Sequence, residues 1–254
     1  MIEFAVVISI FGLYWFNFIR LYTFLTLLIT IYWLPKWLFL ELFMDIFYPT
    51  VVTRPRLLFH EFGHNRIALT FDDAPYGSHE EIIKILDMYN MKGTFFIISD
   101  YVNSQNYQIL VNAVKNGHQL ANHGKTNSFH AIKSMESLKK EIAVCDLLLV
   151  EIYKEAGVEL PQMFYRPGCG AFTNQMLKHV ESLNYKLALG SVYPNDPIVR
   201  SSFINYHYII NHLENDDIVI LHDRKWTVPL LQKLLPYLNE YGYQAVTLHE
   251  LFTY

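Results

Sequence analysis

From about residue 55 onward, short apolar runs alternate with stretches of helical periodicity. Residues 66–71 (RIALTF) read as a buried strand, and 78–89 as a helix with Ile82, Ile83 and Leu86 on one side. Residues 93–98 are β-rich, and 101–115 read as a helix that stops at Asn116–Gly117. A helix over 134–156 carries Leu138, Ile142, Leu149 and Ile152 at helical spacing, with Gly157 placed for a left-handed cap. Segments 164–166, 186–189, 218–221 and 244–248 read as further short strands. A last helix over 228–241 follows Thr227 as N-cap, with Pro229 in its first turn and Leu230, Leu231, Leu234, Leu235 and Leu238 on one face. This alternation predicts an α/β architecture with a largely parallel sheet or barrel, whose chemistry gathers at the carboxyl ends of the strands.

Residues 1–50 have a different pattern. Positions 4–19 and 21–34 are almost wholly apolar, and Trp15, Tyr22, Tyr32, Trp33 and Trp37 are rings suited to a membrane interface. The basic start and small-residue cleavage site of a signal peptide are lacking, so the expectation is a membrane anchor of one or two spans, followed by a catalytic domain over 51–254. Arg54 and Arg56 favour keeping the following domain on the cytoplasmic side. The formal net charge of -4 supplies no basic stripe, so nucleic acid is not an expected partner. Two cysteines, Cys145 and Cys169, make no disulfide framework.

Four strand ends carry candidate chemistry. The strand at 66–71 runs into Asp72–Asp73, two adjacent carboxylates that need a metal or a basic partner if buried. His118–Gln119–Leu120–Ala121–Asn122–His123 reads as a short strand ending in histidine; carboxylate plus imidazole suits zinc and several other divalent ions. Tyr165–Arg166–Pro167–Gly168–Cys169–Gly170 is a tight turn that can turn amide N–H groups toward an oxyanion, with Arg166 able to grip a carboxylate by two prongs. His222 follows the apolar run 218–221 and suits a general acid.

These segments, in this order, resemble the polysaccharide deacetylases, the NodB-homology group of carbohydrate esterase family four. Gly93–Thr94–Phe95–Phe96 and the run 190–197 (GSVYPNDP) are similar too, so the resemblance covers about 65–252. It implies a distorted, seven-stranded (β/α) barrel and a metal-dependent hydrolase deacetylating N-acetylated sugars. It further implies Asp72 as general base, Asp73 and His123 as metal ligands, Arg166 orienting the base and the Cys169 amide stabilising the oxyanion. His222 would be the acid, tuned by Asp196, and Ile220 and Leu221 would line the acyl pocket. The implied cofactor is a divalent metal, zinc with cobalt or nickel as alternatives. The implied substrate is a glycan: chitin-like polymer, peptidoglycan or lipid-linked N-acetylglucosamine.

Where the family usually has a second histidine, four residues after the first, this chain has Asn127. Either Asn127 ligates through its amide oxygen, or His130 reaches in, or water fills the place; spacing favours Asn127. The tryptophan common near the family's fourth motif is also absent, with Tyr193 or Trp226 as substitutes for sugar stacking. A glycan-binding protein without activity is the second reading, resting on Asn127. A third is a zinc protease, from His60–Glu61–Phe62–Gly63–His64, although Pro55 and Gly63 leave little room for the helix this motif needs.

Overall fold

The computed structural model describes residues 18–26, 43–44, 46–55 and 65–253. Residues 1–36 and 37–254 form two compact units. In the first, residues 18–26 are helical, and the Thr23 and Thr26 hydroxyls donate to the carbonyls of Ile19 and Tyr22 four residues back. Among the described residues no helix is long and apolar enough to cross a membrane. The anchor expected over 1–50 falls largely outside the described residues, and the His60–His64 motif wholly so.

The second unit is a seven-stranded parallel sheet alternating with helices. Its strands are β1 (Arg66–Ala74), β2 (Gly93–Ile97), β3 (Gln119–Asn122), β4 (Phe164–Tyr165), β5 (Lys186–Leu187), β6 (Ile218–His222) and β7 (Gln244–Val246). The helices are α1 (His79–Met88), α2 (Tyr107–Lys115), α3 (Met135–Ala156), α4 (Asn174–Ser182), α5 (Ser202–His212), α6 (Thr227–Glu240) and α7 (Leu248–Thr253). The order β5-β4-β3-β2-β1-β6, with β7 beside the start of β1, moves one strand outward at each step from β1 to β5. Such one-way winding is that of a (β/α) barrel rather than a doubly wound sheet. Between β5 and β6 lie only isolated bridges among the described residues: Val52 flanks Ala188 at the end of β5, and Val192 pairs with Val219 of β6. The expected barrel is therefore an open-seamed one.

Strand β1 is flanked on both sides, and from Ile67 to Ala74 every residue is buried, which explains its unbroken apolar run up to the aspartates. Its register pairs Asp72 with His222, and Asn122 of β3 pairs with Tyr165 of β4. Parallel pairing thus brings the residues following β1, β3, β4 and β6 to one end of the sheet.

Four expected elements differ in detail, and one of them, the strand predicted over 186–189, ends at Leu187. The helix predicted over 101–115 begins only at Tyr107. The Asn103 side chain accepts from the Gln105 amide and that of Asn106 from the Asn103 amide, a local turn that competes with helix. Thr227 lies inside α6, behind Trp226, and its hydroxyl donates to the His222 carbonyl instead of capping. The strand predicted over 244–248 ends at Val246, and Leu248 opens α7. Gly157 does cap α3 in the left-handed conformation, at φ 69°.

His118, buried at the start of β3, accepts from the Gly93 amide through Nδ1 and faces Asp87 Oδ1 at 3.2 Å through Nε2. Burial lowers its pKa to about 4 despite Asp87. Between pH 6.5 and 4 the unfolded chain takes up a proton that the folded one refuses, so this residue makes stability fall as pH drops. In His118→Asn that loss, followed by urea unfolding from pH 7 to 4, should shrink by about 1–3 kcal/mol; an unchanged loss would contradict the assignment.

Candidate functional site

Arg166, the residue after β4, is wholly buried, and four of its five side-chain N–H groups are bonded. Its Nη1 donates to Asp72 Oδ1 at 2.7 Å and Thr70 Oγ1 at 2.8 Å, while Nε and Nη2 donate to the carbonyls of Ala188 and Leu189. Its guanidinium carbon lies 3.9 Å from the centre of the Phe96 ring. The grip on Asp72 is thus single, not the two-pronged contact expected from sequence, because the other nitrogens are taken by backbone oxygens. Asp72 is oriented from one side, with its second oxygen uncommitted to Arg166.

The same residue fixes His123 through its main chain. His123 Nδ1 sits 2.6 Å from the Arg166 carbonyl, an atom that only accepts, so Nδ1 carries the hydrogen. In the neutral ring Nε2 is then a bare lone pair, and it faces Asp73 Oδ1 at 3.5 Å. Two buried electron-pair donors so placed repel unless a cation, a proton or a metal ion, lies between them. Donors held about 2.0–2.2 Å from a four-coordinate ion stand roughly 3.4 Å apart, so the pair fits one. Asp73 is held at φ 60°, an uncommon value for a residue with a side chain, which turns its carboxylate away from that of Asp72. Burial works against its charge, but His123 when it carries a proton on Nε2, and then His222 and Arg224, outweigh it and pull the pKa down to about 2.

The third ligand anticipated from sequence is not assembled. Among the described residues no three histidine, cysteine or acidic side chains form a metal-holding group. His130 is buried, but its ring is engaged: Nδ1 accepts from the Gly168 amide and contacts the Tyr165 hydroxyl, and Nε2 points at the Thr126 carbonyl. It stacks on Tyr165 and supports the turn after β4, so as placed it offers no lone pair to an ion. Asn127 lies exposed in the same loop.

Across the site, His222 Nδ1 donates to Asp196 Oδ1 at 2.8 Å, and the His222 amide donates to Asp196 Oδ2. Asp196 is fully buried and also takes the Trp226 indole N–H at 3.4 Å. Burial opposes the imidazolium, but Asp196 and the charges of Asp72 and Asp73 raise the His222 pKa above its ordinary value. Trp226 therefore braces Asp196, and Tyr193 lies 6.2 Å from the His222 ring. Cys169 is exposed at φ 61° in the turn 168–170. The turn needs Gly168, because a Cβ there would lie 2.0 Å from the Ser128 carbonyl oxygen.

Two residues escaped the sequence reading. Asp223, fully buried, accepts from the amides of Tyr76, Gly77 and Ser78 and pins the loop after β1. Arg224 places Nη2 2.5 Å from Asp73 Oδ2. Their signal was present: both directly follow His222, at the same strand end as the aspartates. Tyr76, which Arg224 covers, lines a cavity of about 570 Å³ with Pro75, His79, Asp100 and Tyr101.

Comparison with known proteins identifies the family. The family model for polysaccharide deacetylase matches residues 60–188. A peptidoglycan-N-acetylglucosamine deacetylase of Bacillus cereus is 32% identical over 198 residues, 74% of this chain and 88% of that protein. A bifunctional xylanase/deacetylase of Pseudobutyrivibrio xylanivorans is 30% identical over 189 residues; the match takes in 73% of this chain but only 30% of that longer protein. Among solved structures, a family 4 acetyl xylan esterase from Clostridium thermocellum, in complex with a cobalt ion, is 31% identical. It superposes with a TM-score of 0.64 over 74% of this chain and 90% of its own. By sequence and by fold, this chain belongs to the polysaccharide deacetylase family.

Proposed function

We propose that the protein is a metal-dependent deacetylase that hydrolyses the N-acetyl group of N-acetylglucosamine units in a glycan, peptidoglycan being the leading substrate. The observation that carries the reading is the fixed acid–base arrangement at one strand end. Arg166 orients Asp72, while Asp196 fixes the tautomer of His222 in register opposite it. The Bacillus cereus relative, named for peptidoglycan N-acetylglucosamine, supports the substrate class.

Asp73 and His123 would hold a divalent ion, zinc or cobalt, which when bound supplies Lewis-acid polarisation of the acetyl carbonyl and eases deprotonation of water. Asp72 accepts the proton of the attacking water through the oxygen that Arg166 leaves available. A C–O bond forms at the carbonyl carbon, and the turn carrying Cys169 would present its amide to the oxyanion. His222, protonated at Nε2 and held through Nδ1, delivers a proton to the sugar nitrogen as the C–N bond breaks. Acetate and a free amine leave. Tyr193 and Trp226, beside His222 and Asp196, are the rings available to stack on the sugar.

Acetate release from peptidoglycan and chitin oligomers tests the assignment. Asp72→Asn should lower turnover by about 10²–10⁴-fold with the fold intact; turnover equal to wild type would refute the base. Release from acetylated xylan but not from either amide substrate would make the enzyme an ester hydrolase instead.

The raised pKa of His222 gives a second test. The working acid is the protonated form, so activity is lost as pH rises through that pKa. Asp196→Asn removes the first favourable partner and should move the alkaline limb of the kcat profile to lower pH. An unmoved limb would contradict Asp196 as the group that tunes His222.

A further inference from the structure

Arg224 is placed unlike a surface arginine. Its side chain is 14% exposed, and Nη2 lies 2.5 Å from Asp73 Oδ2. Nη1 donates to the Asp223 carbonyl at 2.8 Å, and the guanidinium carbon sits 3.8 Å from the centre of the Tyr76 ring. Tyr76 is itself pinned, because its amide donates to the buried Asp223 carboxylate. The cation is therefore built in from two sides and aimed at the carboxylate whose other oxygen faces His123.

We propose that Arg224 is an internal counter-ion of Asp73 that competes with the divalent ion and sets how weakly the Asp73–His123 pair binds it. The inference rests on the reading of that pair as the ion site given above. The physics is simple. An ion between Asp73 Oδ1 and His123 Nε2 shares one carboxylate with a guanidinium, and like charges that close in a mostly dry pocket repel strongly. No third histidine, cysteine or acidic side chain among the described residues joins the pair to offset that repulsion. The chain thus combines two features that act in the same direction, an asparagine at position 127 and an arginine against the carboxylate of Asp73. Loading the ion requires Arg224 to slacken its hold on Asp73, and with it the stack on Tyr76 at the rim of the cavity.

The test is calorimetric titration of the full, metal-stripped chain with zinc chloride, and with cobalt chloride followed by visible absorption, in wild type and four variants. Arg224→Gln should bind zinc at least tenfold more tightly, with the cobalt spectrum reaching saturation at correspondingly lower concentration. Arg224→Lys, which keeps the charge, should stay within about threefold of wild type. Arg224→Met keeps an unbranched stem over Tyr76 and serves in place of the glutamine variant if circular dichroism shows the latter unfolded. Unchanged or weaker binding in folded Arg224→Gln or Arg224→Met, with wild type still binding better than Asp73→Asn, would overturn the role of Arg224 alone. Binding by wild type no better than Asp73→Asn would remove the ion site and this inference with it.

Discussion

The Arg166 side chain is the constraint on which the site depends. Burying a guanidinium costs several kcal/mol unless its donors are met. Here four of the five N–H groups are met, by Asp72 and Thr70 of β1 and by the carbonyls of Ala188 and Leu189 beyond β5. One side chain therefore ties the central strand to the open seam of the barrel, where Val52 and Val192 make their bridges. Its own carbonyl, at the same time, decides the tautomer of His123. The orientation of Asp72 and that of His123 are both consequences of a single buried cation.

From that anchor the charges divide. Asp72 and Asp73 are adjacent in sequence, yet the φ of 60° at Asp73 sends them to different partners, one to Arg166 and the other to His123 and Arg224. His222, in register with Asp72, is drawn toward its protonated form by Asp196 behind it. Two arginines and two histidines thus surround two carboxylates, which is how a pocket this buried tolerates both negative charges.

Much of this was legible in the chain before its fold was known. The apolar run of β1 ending in two aspartates, and the runs ending in His123, Arg166 and His222, mark strand ends because parallel strands buried on both faces read as continuous apolar stretches. Helix α3 was equally plain, since its apolar spacing and Gly157 agree. What stayed hidden depends on contacts between distant segments. The α2 start was misplaced because Asn103 and Asn106 form their own turn. Nothing local distinguishes His130, committed to Tyr165 and Gly168, from a histidine free to ligate. Arg224 looked like an ordinary residue after a strand, and only the meeting of β6 with β1 puts it against Asp73.

The account stands or falls on where a divalent ion goes. The most direct measurement is anomalous scattering from crystals of the full chain soaked in cobalt. The account predicts one strong peak within about 2.2 Å of both the Asp73 carboxylate and His123 Nε2. A peak held instead by His60 and His64, or no peak between Asp73 and His123 at saturating cobalt, would contradict it.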